Sequence, residues 1–266
     1  MKKMKLKNLF VFTALSCVFT TAALPSVAAA KTANSSYKLV IHGITLAKLN
    51  FKTEISGETF KTSGSIKSSS LADIVAKIRG ETTVTGKVTP HMFRADQYKI
   101  NYTSGDEKRA FDVLYNENGK VTQSKISPEP KSRPSDWVKL KDADLLSVVD
   151  PITSLTLPYK GPKSPVCGRT VSIFDGETLV DLKLKFIGHA RYKTKGFRGR
   201  VVKCQVTFTP KGGYRANHDS VKYLQQAKGM EVWFGVNKHM NAHVPMFAKI
   251  PTKIGDVRVS ATEIGS

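Results

Sequence analysis

Residues 170–186 read TVSIFDGETLVDLKLKF. From Thr178 onward the residues alternate: Val180, Leu182, Leu184 and Phe186 fall on one side, and Asp181, Lys183 and Lys185 on the other. Period two over this length predicts a strand with one face buried. The strand-like run 170–174 precedes it across Asp175-Gly176-Glu177, a turn composition, so the pair predicts an antiparallel hairpin. Further along, residues 200–208 repeat the alternation with Val202, Cys204, Val206 and Phe208 on the buried side. Lys193, Lys195, Arg198, Arg200 and Lys203 form the densest cationic cluster of the chain, with glycines that mark a hairpin tip.

The same signals recur on either side. Strands are expected at 37–41, at 44–51 after a break at Gly43, near 58–66, at 81–88 and at 93–102, where Tyr98, Ile100 and Tyr102 share a face. Residues 111–115 and 120–126 flank Asn118-Gly119, a strong hairpin signal. A short helix at 220–228 and strands at 230–234, 246–250 and 256–262 complete the C-terminal part, and residues 31–36 read as a small polar leader. Two further helices are predicted. In residues 70–80, Ser70 is a good N-cap with Asp73 three residues on, and Leu71, Ile74, Val75 and Ile78 form an apolar stripe. Lys77 and Arg79 suit the last turn and Gly80 a C-terminal stop. Residues 144–155 read as a short amphipathic helix broken at Pro151. Residues 127–137, with Pro128, Pro130 and Pro134 among charges, are a connection between two strand groups. The expected fold is mainly β: one large antiparallel sheet curled into a half-barrel, barrel or β-spiral, with two or three short helices, spanning 31–266 as a single domain.

Residues 1–30 carry the pattern of a cleaved signal peptide. Lys2, Lys3, Lys5 and Lys7 precede a mostly apolar run from Leu9 to Leu24, and Ala28-Ala29-Ala30 supplies the small residues of a cleavage site. Cys17 after Ala14-Leu15-Ser16 forms a loose lipobox, which offers lipidation as a rival processing route. Against it, the position three before the cysteine is Ala14, and the chain stays apolar beyond Cys17. Export to the periplasm is therefore expected. Loss of four lysines and no acids lowers the formal charge from +21 to +17, a balance that favours anionic partners such as lipid head groups, lipopolysaccharide or peptidoglycan. A solvated lysine surface is the alternative.

Chemistry is sparse. The chain has no G-x-S-x-G elbow, no P-loop and no H-E-x-x-H. His239 and His243 stand four apart, but Asn237, Asn241 and Val244-Pro245 place them around a loop, with no acid to complete a metal site. His42, His91, His189 and His218 are scattered, and the acids fall mainly at turns or helix starts. Tyr98, Tyr102, Tyr192 and Phe197 suit base stacking, yet no nucleic-acid motif accompanies them, so no nucleic acid is expected. Neither a cofactor nor a catalytic activity is expected. Once residues 1–30 are removed, Cys167 and Cys204 are the remaining cysteines, and in an oxidising compartment they suggest one structural disulfide. The rivals, a redox pair and a thiolate metal site, lack the C-x-x-C spacing and further ligands respectively.

Several stretches together resemble an alpha-proteobacterial periplasmic family called domain of unknown function 3108: YKLVIHGITLAKLNF from 37, SSLADIVAKIRGETTVTGKV from 69, DPITSLTLP from 150, VCGRTVSIFDGETLVDLKL from 166 and SVKYLQQAKGMEVWFG from 220. The specific parts are Asp150-Pro151-Ile152-Thr153, the run Cys167 to Gly176, and Cys204. The resemblance implies a periplasmic β-rich protein with a Cys167–Cys204 bridge and no established activity. It also implies a distant similarity to curved-sheet lipid or lipoprotein carriers and envelope-integrity proteins, some of them surface antigens in host-associated bacteria. The expected role is non-enzymatic binding or scaffolding in the envelope, with an anionic surface, a lipid or an envelope protein as partner. An apolar groove is expected where Leu71, Ile74, Val75 and Ile78 meet Val180, Leu182, Leu184 and Phe186. The rivals are a hydrolase acting on an envelope polymer, a binder of nucleic acid or an anionic surface, and a structural protein with no ligand.

Overall fold

The computed structural model describes residues 30–70, 72–74, 77–162 and 164–265. The leader up to residue 29, with Cys17, and the side chains of Leu71, Ile74 and Val75 lie outside the described residues. Short, glycine-bearing turns join β1 (Lys31–Ile41), β2 (Ile44–Ser56) and β3 (Thr59–Ser68). After a longer link come β4 (Ile78–Val88), β5 (Phe93–Ser104), β6 (Glu107–Tyr115) and β7 (Val121–Ser127). Each strand lies beside the next, antiparallel, as short connections require. A long connection carries β8 (Trp137–Val138) and β9 (Leu157–Pro158). A second meander follows: β10 (Arg169–Phe174), β11 (Leu179–Thr194), β12 (Phe197–Gly212), the short β13 (Tyr214–Arg215), helix α1 (Asp219–Gln226), then β14 (Glu231–Asn237), β15 (Ala242–Thr252) and β16 (Gly255–Gly265). β8 and β13 pair as a separate two-residue ribbon, and β9 adds to β15.

β16 then pairs antiparallel with β1, from Asn34↔Gly265 to Val40↔Arg258. The strand order is therefore β10-β11-β12-β14-β15-β16-β1-β2-β3-β4-β5-β6-β7, and both free edges come from the middle of the chain. This is the curled, mainly β architecture expected, left open between β7 and β10. Among the described residues no ladder closes that seam, but side chains and the connection do. Ser124 Oγ donates to Gly176 O at 2.8 Å, Tyr115 Oη donates to Phe174 O at 3.3 Å, and Glu177 pairs with both Arg109 and Arg133. Val148 N–H reaches Gly119 O (2.9 Å), and Val149 exchanges bonds with Ser172 O and Phe174 N–H (2.9 Å each). The connection thus bridges the β6–β7 turn to β10.

Two expected helices do not form. Among the described residues of the 70–80 segment, a 3-10 turn, Ala72–Ile74, is the only helical element, and Ile78 to Gly80 open β4. Local capping signals lose to two ladders at once, with Lys67↔Arg79 on one side and Ile78↔Ser104 on the other. Asp73 accepts from Ser68 Oγ rather than completing a capping box. Gly80 is a packing glycine, not a helix stop: a Cβ there would lie 2.9 Å from Tyr102 Cβ and 3.1 Å from Asn101 O. In 144–155 a 3-10 turn, Asp142–Leu145, gives way to extended Val148-Val149. The fully buried Asp150 carboxylate then takes the N–H groups of Ile152 (2.8 Å) and Thr153 (2.9 Å), a turn in place of a helix. The polar leader 31–36 belongs to β1, in register with 50–55 of β2.

Three clusters fill the molecule. Phe60, Val84, Phe93, Tyr98, Val113 and Tyr115 of β3–β6 meet Val148 of the connection and Phe174 and Leu179 across the seam. A second cluster surrounds the Cys167–Cys204 disulfide, whose Cα atoms are 5.7 Å apart. A third, including Val201, Val244, Met246 and Ala261, lies under the β11–β12 tip.

Candidate functional site

β11 and β12 are 16 residues each, longer than any other strands among the described residues. The register pairs Phe186 with Cys204, then resumes at Gly188↔Lys203, so Ile187 is an extra residue. Such a bulge reverses the side-chain parity of its strand. Before it, Leu182 and Leu184 share a face with Val206 and Cys204, and Leu184 is only 1% exposed. After it the same face carries His189, Arg191 and Lys193 on β11, with Val202, Arg200 and Arg198 on β12. One continuous face thus runs from the disulfide core to a set of exposed cations.

The opposite face of the tip is apolar. Ala190, Tyr192 and Phe197 pack on the cluster of Val201, Val244, Met246, Ala261 and Ile264, and Tyr192 Oη donates to Ala261 O at 3.0 Å. The turn is fastened to β16, with Ile264 N–H bonded to Lys195 O (2.9 Å) and the Lys195 ammonium paired with Glu263 (2.9 Å). Gly196 makes this approach feasible. Its φ is +74°, and a Cβ would stand 1.9 Å from Ile264 O. Gly196→Ala is expected to cost about 1–3 kcal/mol and to release the tip. Thermal denaturation, with limited proteolysis around Lys195, measures both effects.

The cations are arranged against stability. Arg191 lies directly opposite Arg200, and Lys193 opposite Arg198. Like charges in directly opposed positions destabilise a sheet. All four are exposed, and none has a carboxylate within 4.0 Å among the described residues. His189 through Lys193 and Arg198 through Arg200 line an open recess of about 820 Å³. At its core end stand Phe186, 52% exposed, and Ile187, 41% exposed. Cations beside exposed apolar side chains suit the boundary between phosphate head groups and acyl chains. A second open recess, about 740 Å³, is lined by Lys67, Arg79, Lys108 and Arg109 with Glu81 as its one acid, and Arg109 is already paired with Glu177.

Of the expected groove residues, Leu182 and Leu184 enter the disulfide cluster, Val180 sits between Ile173 and Pro210, and Phe186 is exposed. Ile78 starts β4 next to Ser104, and no described residue of 70–80 belongs to the cluster around Leu184. Because the side chains of Leu71, Ile74 and Val75 lie outside the described residues, the expected groove falls outside them as well. The disulfide pairing is as expected. The alternation misses the cation ladder because it depends on one bulged residue, although the density of Lys and Arg pointed to the same tip.

Acids near the core serve turns. Asp175 accepts from Glu177 and Thr178 N–H groups at 2.9 and 2.7 Å, and burial pushes its carboxyl above the usual range. His243, buried in β15 edge-on to the Tyr159 ring, is held below its ordinary pKa by burial and by Arg169, whereas His239 lies in the preceding turn. Among the described residues no group of three His, Cys, Asp or Glu is placed to hold a metal.

A family model described as "Protein of unknown function (DUF3108)" matches residues 34–262. Among solved structures, a β-barrel-like protein of domain of unknown function DUF1849 from Brucella abortus has a TM-score of 0.49 and 11% identity, covering 88% of this chain and 97% of that chain. No curated protein matches.

Proposed function

The chain belongs to the DUF3108 family of proteins of unknown function, and from that premise we propose a non-enzymatic cell-envelope protein that docks on anionic lipid through its β11–β12 hairpin. The single observation that carries this reading is the cation ladder of Arg191↔Arg200 and Lys193↔Arg198. An arrangement that costs stability and has no internal acid calls for an external anion. The Cys167–Cys204 disulfide and the signal-like residues 1–30 support an oxidising, exported setting. Phe186 and Ile187 supply apolar area next to the charges. Surface docking fits better than enclosure of an acyl chain. The more enclosed recess near the seam holds only about 230 Å³, less than the roughly 300 Å³ at which pockets for drug-sized molecules begin.

Co-sedimentation with vesicles tests the proposal. Mature protein should bind phosphatidylglycerol vesicles strongly at about 10 mM salt and much more weakly at about 150 mM. It should ignore phosphatidylcholine vesicles. Lys193→Glu with Arg191→Glu should weaken binding by about tenfold or more. The same changes place opposite charges across the ladder, so the melting temperature should hold or rise. Equal binding to neutral and anionic vesicles, or unchanged binding by the charge-reversed protein, overturns the proposal.

A further inference from the structure

The 230 Å³ recess lies between the start of β5, the connection and β10, and shares no lining residue with the recess at the hairpin tip. Two half-buried arginines line it, Arg94 and Arg169, together with the hydroxyl-bearing Ser147, Thr156 and Thr170. Among the described residues, neither arginine has a carboxylate within 4.0 Å, and no acid lines the space. Asp150, behind it, is fully buried and engaged with Ile152, Thr153 N–H and Thr153 Oγ1.

The donors of both arginines are under-used. Arg169 Nη2 donates to Pro165 O at 2.7 Å, while its buried Nε has no hydrogen-bond partner. Among the described residues Arg94 Nη2 reaches only the weak thioether acceptor of Met92, at 3.2 Å. Its guanidinium is held beside Gly119, where a Cβ would lie 2.9 Å from Nη1. A planar guanidinium with free donors matches the paired oxygens of a phosphate or carboxylate. Placing two of them around one small, partly enclosed space with no internal acid leaves unsatisfied donors whose partner is an oxyanion.

We propose that this recess is a binding site for one small oxyanion, a phosphate or carboxylate group, held by Arg94 and Arg169. The site is separate from the hairpin face and does not rest on lipid docking. Its ligand is either a free anion or the head group of a larger molecule, and the arms of the test separate the two.

The experiment measures melting temperature and calorimetric binding of the full mature protein with inorganic phosphate, glycerol 3-phosphate or acetate, at ionic strength fixed with chloride. Wild-type protein should show a saturable gain in melting temperature with at least one of them. The Lys193→Glu, Arg191→Glu protein should keep that gain. Arg94→Gln and Arg169→Gln should each weaken binding about tenfold or more. Arg169→Lys keeps the charge but loses the fork, so it should fold like wild type yet bind more weakly, which covers the case in which a glutamine variant misfolds. Tighter binding of glycerol 3-phosphate assigns the site to a head group, and tighter binding of phosphate or acetate assigns it to a free anion. No saturable gain with any anion, or a gain retained by the arginine variants and lost in the hairpin variant, overturns the site.

Discussion

Replacing Cys204 with Ser is expected to lower stability by about 4 kcal/mol or more, and Cys167→Ser by somewhat less. The bridge spans 37 residues, and closing a loop of that length restricts the unfolded chain by roughly 4 kcal/mol on the chain-entropy estimate. The asymmetry comes from the folded state. Cys204 is fully buried among Leu184, Val206, Val232 and Phe234, so a serine there brings a hydroxyl into apolar surroundings. Cys167 is only partly buried, and its replacement leaves Cys204 as a small apolar thiol. Urea denaturation of the two variants and of wild type, with and without reductant, measures the effect. If oxidised and reduced wild type unfold at the same urea concentration, the bridge contributes nothing and the expectation fails.

Asp150→Ala is expected to cost about 3 kcal/mol, because it leaves the N–H groups of Ile152 and Thr153 and the Thr153 hydroxyl without an acceptor in a buried turn. That turn holds Val148 against Gly119 and Val149 against β10, so protection from hydrogen exchange should fall first along the seam, at residues 148–149 and 172–174. Asp150→Asn keeps an acceptor and should cost less. Burial raises the Asp150 carboxyl above its ordinary 3.8, opposed by the Thr153 and backbone hydrogen bonds. A raised folded value means that the folded state holds the proton more tightly than the unfolded chain. The stability from this group is therefore full below pH 3.8 and declines as pH rises through the folded value. The Asn variant lacks that decline, so the gap between wild type and Asp150→Asn should change with pH above 3.8. A pH-independent gap would show that Asp150 stays ionised in the fold.

Strands were legible wherever a turn residue separated two alternating runs. Asp175-Gly176 between β10 and β11, and Asn118-Gly119 between β6 and β7, each specify a hairpin within a few residues, and hairpins are local objects. The helix at 219–226 and the basic tip were legible for the same reason. The segment 70–80 was not. Its Ser70, apolar stripe and Gly80 satisfy every local rule for a helix, yet Gly80 is required because Tyr102 and Asn101 approach too closely for a side chain. No neighbouring residue in the chain announces that contact.

From sequence alone came the β class, the order of local hairpins, the cationic tip at 193–203 and the cysteines available for a bridge, because each depends on residues a few positions apart or on counting. Tertiary structure decided the rest. It set β16 beside β1, and so moved the free edges to mid-chain. It drew the connection across the seam, where Asp150 became a turn cap. Through one extra residue at Ile187, it turned the face of Leu184 into the face of Arg191. The β1–β16 pairing joins residues more than two hundred positions apart, and the parity of β11 turns on one bulged residue; alternation along the chain records neither.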